Sequence, residues 1–189
     1  MTHPTTPVPL LRRVAVVGAV ALALVACSPD AKDEPEPTAS AAGGPVVVGA
    51  EEYEPILEAT LPVPRSTTDA EATVGLVSLV QTGKVTELRV VLTPSFPEAE
   101  EGERISIYDM FGKDVLPTVW DVPGMRSYNV LSDTGRDFET DVVRADAANG
   151  ESVLYQAFFP AFEGRPETVD LVLHSAWPTF EDVPVTYED

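Results

Sequence analysis

Residues 149–174 read NGESVLYQAFFPAFEGRPETVDLVLH, and the reading of this stretch decides the fold. Asn149-Gly150 is a turn dipeptide, because both residues tolerate the left-handed backbone that a tight reversal requires. After it, Val153, Tyr155, Ala157 and Phe159 occupy every second position of Ser152–Phe159. That period sends their side chains to one face of a strand. A Gly-containing loop, Glu163-Gly164-Arg165-Pro166, leads to Thr168–His174. There Val169, Leu171 and Leu173 alternate inward, which puts Thr168, Asp170 and His174 on the outward face.

The same grammar extends toward the N-terminus. Thr73–Val80 and Val85–Leu92 are β-rich runs separated by Gln81-Thr82-Gly83-Lys84, a natural hairpin turn. Leu88, Val90 and Leu92 share one face of the second run, and Glu87, Arg89 and Val91 share the other. Further strands are expected at Arg104–Tyr108 (Ile105 and Ile107 inward), Val115–Asp121, Ser127–Leu131, Phe138–Arg144 and Val183–Tyr187. Glu51–Pro55 reads as a turn of helix or a loop. No long stretch carries a 3.6-residue apolar period, so little helix is expected. Short strands at this spacing predict an all-β fold, two antiparallel sheets packed as a sandwich.

Several elements of the second half resemble Ig-like domains of secreted and lipid-anchored actinobacterial proteins. They are Asn149-Gly150-Glu151-Ser152, Phe158-Phe159-Pro160, Thr168-Val169-Asp170-Leu171-Val172 and Phe180-Glu181-Asp182-Val183-Pro184-Val185. The resemblance implies an Ig-like β-sandwich and no particular activity. The inter-sheet disulfide of that family has no counterpart, because Cys27 is the only cysteine in the chain.

The N-terminus has a different composition. Arg12-Arg13 precedes an apolar run, Val14–Val25, and Ala26-Cys27 follows. A positive block followed by a short apolar run is the layout of a secretory signal peptide, and the run is shorter than the ~20 apolar residues of a membrane-spanning helix. Leu24-Val25-Ala26-Cys27 resembles the lipobox of bacterial lipoproteins. The resemblance implies that Cys27 receives a diacylglyceryl group and becomes the first residue after cleavage. Residues 1–26 are then a cleaved signal peptide. Residues 27–44 are the lipidated cysteine and a tether, and 45–189 the β domain. The tether, SPDAKDEPEPTASAAGG over residues 28–44, lacks aromatic and β-branched apolar residues. It cannot bury enough surface to offset chain entropy, and is expected to be disordered and extended. The implied location is the outer face of the cell membrane, with the lipid as the membrane contact.

Charge narrows the partners. The formal net charge is -19, and loss of the segment holding Arg12 and Arg13 takes it to -21. Such a charge repels phosphate backbones and anionic headgroups, so no nucleic-acid partner is expected.

No catalytic constellation emerges. With His3 removed, His174 is the sole histidine. On a strand, neighbouring Ser175 would face away from it. Zinc lacks ligands, and no cofactor motif is present. Glu98, Glu100, Glu101 and Glu103 crowd one loop, which lacks the order of an EF-hand loop, and Asp133, Asp137, Glu139 and Asp141 form a second acidic stretch. Each reads as a solvated acidic loop or, as the alternative, a calcium site. Asp109–Arg126 carries Met110, Phe111, Trp120 and Met125 among turn residues. It reads either as a loop with exposed apolar groups or as two strands joined at Phe111-Gly112-Lys113-Asp114. Trp177 ends a strand before Pro178, and it and Trp120 read either as core or rim residues or as the lining of a ligand surface. Met110, Phe111, Trp120, Met125 and Trp177 are therefore the candidate binding residues.

The functional expectation is a non-catalytic envelope module that binds a protein or another envelope component. Two alternatives stand beside it. One is a carrier of a small apolar ligand between the sheets, lined by Tyr155, Phe158 and Trp120. The other is an envelope hydrolase with two carboxylates in one cleft. The anchor has its own test. Cys27→Ala should move the protein to the aqueous phase of a detergent partition, and the wild type should carry lipid mass. A variant that stays with the membrane, together with an unmodified wild type, would refute the lipoprotein assignment.

Overall fold

The structure is a computed structural model and describes residues 43–188. The expected signal peptide, Cys27 and tether residues 28–42 lie outside the described residues. From Val46 the chain forms β1 (Val46–Val48), β2 (Glu51–Tyr53), β3 (Leu57–Pro62), β4 (Glu71–Thr82), β5 (Val85–Ser95) and β6 (Arg104–Ser106). A one-turn helix, α1 (Ile107–Met110), follows. Next come β7 (Thr118–Asp121), β8 (Arg126–Asn129), β9 (Ser132–Asp133), β10 (Arg136–Asp137) and β11 (Asp146–Ala148). The last strands are β12 (Val153–Pro160), β13 (Thr168–Val172), β14 (Phe180–Pro184) and β15 (Thr186–Glu188).

Two sheets share one core, as the alternation requires. The first is ordered β12-β5-β4. The outer edge of β4 is divided between two strands, with β3 antiparallel along Leu76–Glu71 and β15 parallel along Val80–Thr82. The second is ordered β14-β13-β7-β8, with every pairing antiparallel. Tyr155, Ala157 and Phe159 of β12 and Val169, Leu171 and Leu173 at β13 are buried, so both alternations of the diagnostic stretch are borne out. Gly83 has φ 61° and opens the two-residue β4–β5 loop, the left-handed position that a tight hairpin asks of glycine.

The alternation along β4 breaks where the ladder does. Leu76 pairs with Val90 and Leu79 with Leu88, so four residues on β4 match three on β5, and the register shifts between Leu76 and Ser78. This bulge keeps Ala72, Val74, Leu76 and Leu79 all on the core side. On the opposite face, Gly75 leaves room for Pro55: a Cβ there would stand 2.9 Å from the Pro55 ring.

Several expected elements are different. Glu51–Pro55 is neither helix nor loop at its start, because β2 pairs with β1 in a small hairpin. The strand expected over Arg104–Tyr108 stops at Ser106. The Ser106 side chain accepts the Asp109 N–H at 3.1 Å and donates to Asp109 Oδ2 at 2.7 Å, which starts α1. Ile105 and Ile107 are still buried. The helix ends as a Schellman motif, with Lys113 N–H on Tyr108 O at 2.8 Å and Gly112 N–H on Asp109 O at 3.0 Å. The expected strand Phe138–Arg144 is instead a cover over the free edge of β12. Phe158 N–H donates to Phe138 O and Thr140 N–H to Gln156 O. The amides of Arg144 and Ala145 then turn back onto Asp141 O. β3, with Leu57, Ala59 and Leu61 in alternation, was not among the expected strands.

Gly112 and Gly83 separate two effects of one substitution. Both have φ near 60°, but a Cβ at Gly83 meets nothing within 4 Å, and one at Gly112 would lie 2.1 Å from Pro64 O. Gly83→Ala should cost about 1 kcal/mol for left-handed backbone alone. Gly112→Ala should cost about 1–3 kcal/mol more, because the Pro64 backbone must move. Urea denaturation of both variants measures the difference, and equal costs would mean that the Pro64–Gly112 contact is not tight.

Candidate functional site

The five residues expected to bind a partner separate into a core group and a surface group. Met110, Phe111 and Trp177 are buried. The Phe111 ring stands 4.7 Å from that of Trp177 and 6.1 Å from that of Tyr155, and the Trp177 indole N–H donates to Pro62 O at 2.8 Å. These residues close one end of the sandwich and are unavailable to a partner. α1 is what turns Met110 and Phe111 inward. The strand-turn-strand reading of this segment is correct for the turn at Phe111-Gly112-Lys113, but not for what precedes it.

Trp120 and Met125 are on the surface, at the β7–β8 hairpin. Trp120 is 43% exposed, Val122 58% and Met125 92%. Val122-Pro123-Gly124-Met125 makes the turn, with Met125 N–H on Val122 O at 3.1 Å and Met125 at φ 52°. The buried Asp121 carboxylate holds it from below by accepting Gly124 N–H at 2.8 Å, and it lies 3.6 Å from Arg126 Nη1. A Cβ on Gly124 would collide with that carboxylate at 1.9 Å, so this contact requires glycine at the position. Arg126 Nε also donates to Glu163 at 3.1 Å. The result is a stiff apolar tip with a charged collar. Sequence reading identified Trp120 and Met125 but omitted Val122, whose place in a Pro-Gly turn was the available signal.

A second place gathers carboxylates. Asp137 and Glu139 line a cleft of about 280 Å3 with Leu116, Thr118, Asn129 and Val130. The wholly buried Tyr155 donates its hydroxyl to Glu139 Oε2 at 2.5 Å. Burial raises the Glu139 pKa against the opposing effect of the Tyr155 hydrogen bond, and Asp137 raises it further. Tyr155 is raised too, by burial first and by the Glu139 charge next. Asp137 and Glu139 thus share a cleft, which is one part of what an acid pair requires, the other being a spacing suited to the reaction. The lining expected for an apolar carrier does not come together: Tyr155 faces the core, Phe158 has the opposite strand parity, and Trp120 is on the tip. In the other acidic loop, Glu103 accepts Glu100 N–H at 2.8 Å and so closes its own turn.

His174 corrects the expectation of a solvent-facing side chain. β13 ends at Val172, so strand parity no longer applies, and Leu173 and His174 are both buried. His174 Nδ1 accepts Ala176 N–H at 2.9 Å, and His174 O accepts Trp177 N–H at 3.0 Å. Nε2 is buried with no partner among the described residues. The accepting Nδ1 fixes a neutral ring protonated at Nε2. A second proton would have to displace the Ala176 bond.

No protein-family model, curated protein or solved structure matches this chain.

The His174 geometry sets a pH dependence. Burial lowers its pKa, with Asp114 acting upward and Arg65 downward. A base with a depressed folded pKa adds stability that is complete above its unfolded pKa of about 6.5 and is lost as pH falls toward the folded value. His174→Asn keeps an acceptor for Ala176 N–H but does not titrate near neutrality. The urea midpoint should therefore fall less for this variant than for the wild type between pH 7.5 and 5. Parallel curves would show that His174 does not carry the effect.

Proposed function

We propose that this chain is a lipid-anchored, non-catalytic binding module on the outer face of the cell membrane. Cys27 is its lipid attachment, residues 28–44 its spacer, and the sandwich, read as Ig-like on the residues quoted above, the part that meets a protein or another envelope component. Lipid supplies the attachment, since each buried CH2 contributes about 0.8 kcal/mol. The negative charge keeps the domain off anionic headgroups and nucleic acid.

The observation that carries the reading is the β7–β8 tip. Trp120, Val122 and Met125 are exposed together on a turn held by Asp121 and Arg126. A rigid aromatic offers large apolar area at low ordering cost, as interface centres do, and a flexible thioether side chain adapts to the partner's surface. The acid-pair alternative rests on Asp137 and Glu139 sharing a cleft. No observation adds a nucleophile or a substrate platform there, so binding is preferred.

The test is crosslinking in intact cells. Wild type should capture a reproducible partner, and Trp120→Ser with Met125→Ser should reduce that capture by roughly tenfold or more, as expected for a hot-spot pair. The melting temperature should change little, because the replaced side chains are exposed. Equal capture by the double variant would place the contact elsewhere.

A further inference from the structure

The chain has few cations, and it concentrates them. Of the nine lysines and arginines among residues 43–188, Arg65, Arg104 and Lys113 line one cleft of about 500 Å3. Two turns form it. Ser66 N–H closes the first onto Val63 O at 3.1 Å, and the Schellman turn after α1 forms the second. The close approach of Gly112 to Pro64 O joins them. Val63, Phe96 and Ile105 supply an apolar wall.

Not every charge in the cleft is available. Arg104 Nε is held by Asp146 Oδ1 at 2.7 Å, and its Nη1 lies 3.5 Å from Glu151. Asp109 is engaged by Ser106, and Glu103 by Glu100 N–H. Lys113 has no carboxylate within ion-pair range among the described residues, and Arg65 reaches Asp114 only at 3.9 Å, beyond hydrogen-bond length. Both cations also sit in left-handed backbone, Arg65 at φ 60° and Lys113 at φ 72°. Glycine or asparagine would occupy either position with less strain. Strain at two adjacent rim positions, both with long cationic side chains, suggests that those side chains have a use.

We infer that this cleft binds a small amphiphilic anion. Arg65 and Lys113 hold its oxyanion head, a carboxylate or a phosphate, and Val63, Phe96 and Ile105 cover its apolar body. A guanidinium fork and an ammonium suit either head. The overall negative charge acts weakly at the cleft, because at physiological salt charges beyond about 8 Å are largely screened. Within that range Glu103, Asp109 and Asp114 oppose the cations, and Arg65 and Lys113 are the cleft cations without a close carboxylate partner among the described residues. The site is separate from the β7–β8 tip and does not depend on the anchor.

Calorimetry on the full chain carrying Cys27→Ala, at 0.15 M salt, tests it with octanoate, octyl phosphate, octylamine, octanol and inorganic phosphate. Octanoate, octyl phosphate or both should bind, and their ratio identifies the head. Octylamine, octanol and inorganic phosphate should bind at least roughly tenfold more weakly. Arg65→Asn with Lys113→Asn should weaken binding by about the same factor while melting no lower than the parent, since asparagine tolerates the left-handed backbone. Arg144→Gln, at an exposed arginine outside the cleft, should change nothing. Equal binding of octylamine or octanol, phosphate binding as tight as octyl phosphate, an unaffected double variant, or no binding at all would each overturn the assignment.

Discussion

The pairing of β4 with β5 is the constraint on which the rest of the structure depends. Their ladder runs from Glu71↔Ser95 to Thr82↔Val85, and it places Val74, Leu76 and Leu79 across from Leu92, Val90 and Leu88 on one buried face. Each such leucine contributes about 1.5–3 kcal/mol when buried. Both strands also template their neighbours: β12 lies on the far edge of β5, and β3 and β15 divide the far edge of β4. A one-residue slip would turn the apolar set to solvent. The bulge at Leu76–Ser78 is a controlled slip of this kind, placed where it returns Leu79 to the core.

The alternating strands were legible in the sequence because a period of two needs no knowledge of tertiary contacts. Val153–Phe159 and Val169–Leu173 could be read directly, as could the Gly83 hairpin. β3 shows the same alternation at Leu57, Ala59 and Leu61, and its signal was simply passed over. α1 had a signal as well, since Ser106 and Asp109 have the spacing of a helix start. His174 was illegible for a physical reason. Parity predicts its face only while the strand continues, and the turn at Ser175-Ala176 depends on a hydrogen bond to His174 itself. The burial of Trp177 agrees with the core role that its place at a strand end allowed, whereas that of Met110 and Phe111 follows from α1, which the strand reading did not include. The resemblance of Leu24-Val25-Ala26-Cys27 to a lipobox, by contrast, is a purely sequential signal, and those residues lie outside the described ones.

Strained backbone falls near the proposed recognition surfaces. Six non-glycine residues among those described have positive φ, and three of them are Met125 at the tip and Arg65 and Lys113 at the cleft. At each, a long side chain occupies a position that glycine or asparagine would fill at lower cost. Energy for this comes from the neighbours: the Asp121–Gly124 bond under the tip, and the Schellman bonds and Pro64–Gly112 contact under the cleft. The supports are specific polar contacts within turns, so each surface is held by its own element.

That separation bears on how the two surfaces relate. The tip belongs to the second sheet, where β7 and β8 continue from β13. The cleft is assembled from the β3–β4 turn of the first sheet and the turn that ends α1. The buried Phe111 and His174 rings both stand against Trp177, and Asp114 and Arg65 are the charges that act on His174. Protonation of His174 would displace the Ala176 bond and strain the 174–177 turn. A partner at the tip and an anion in the cleft would bind independently, unless the sandwich itself loosens.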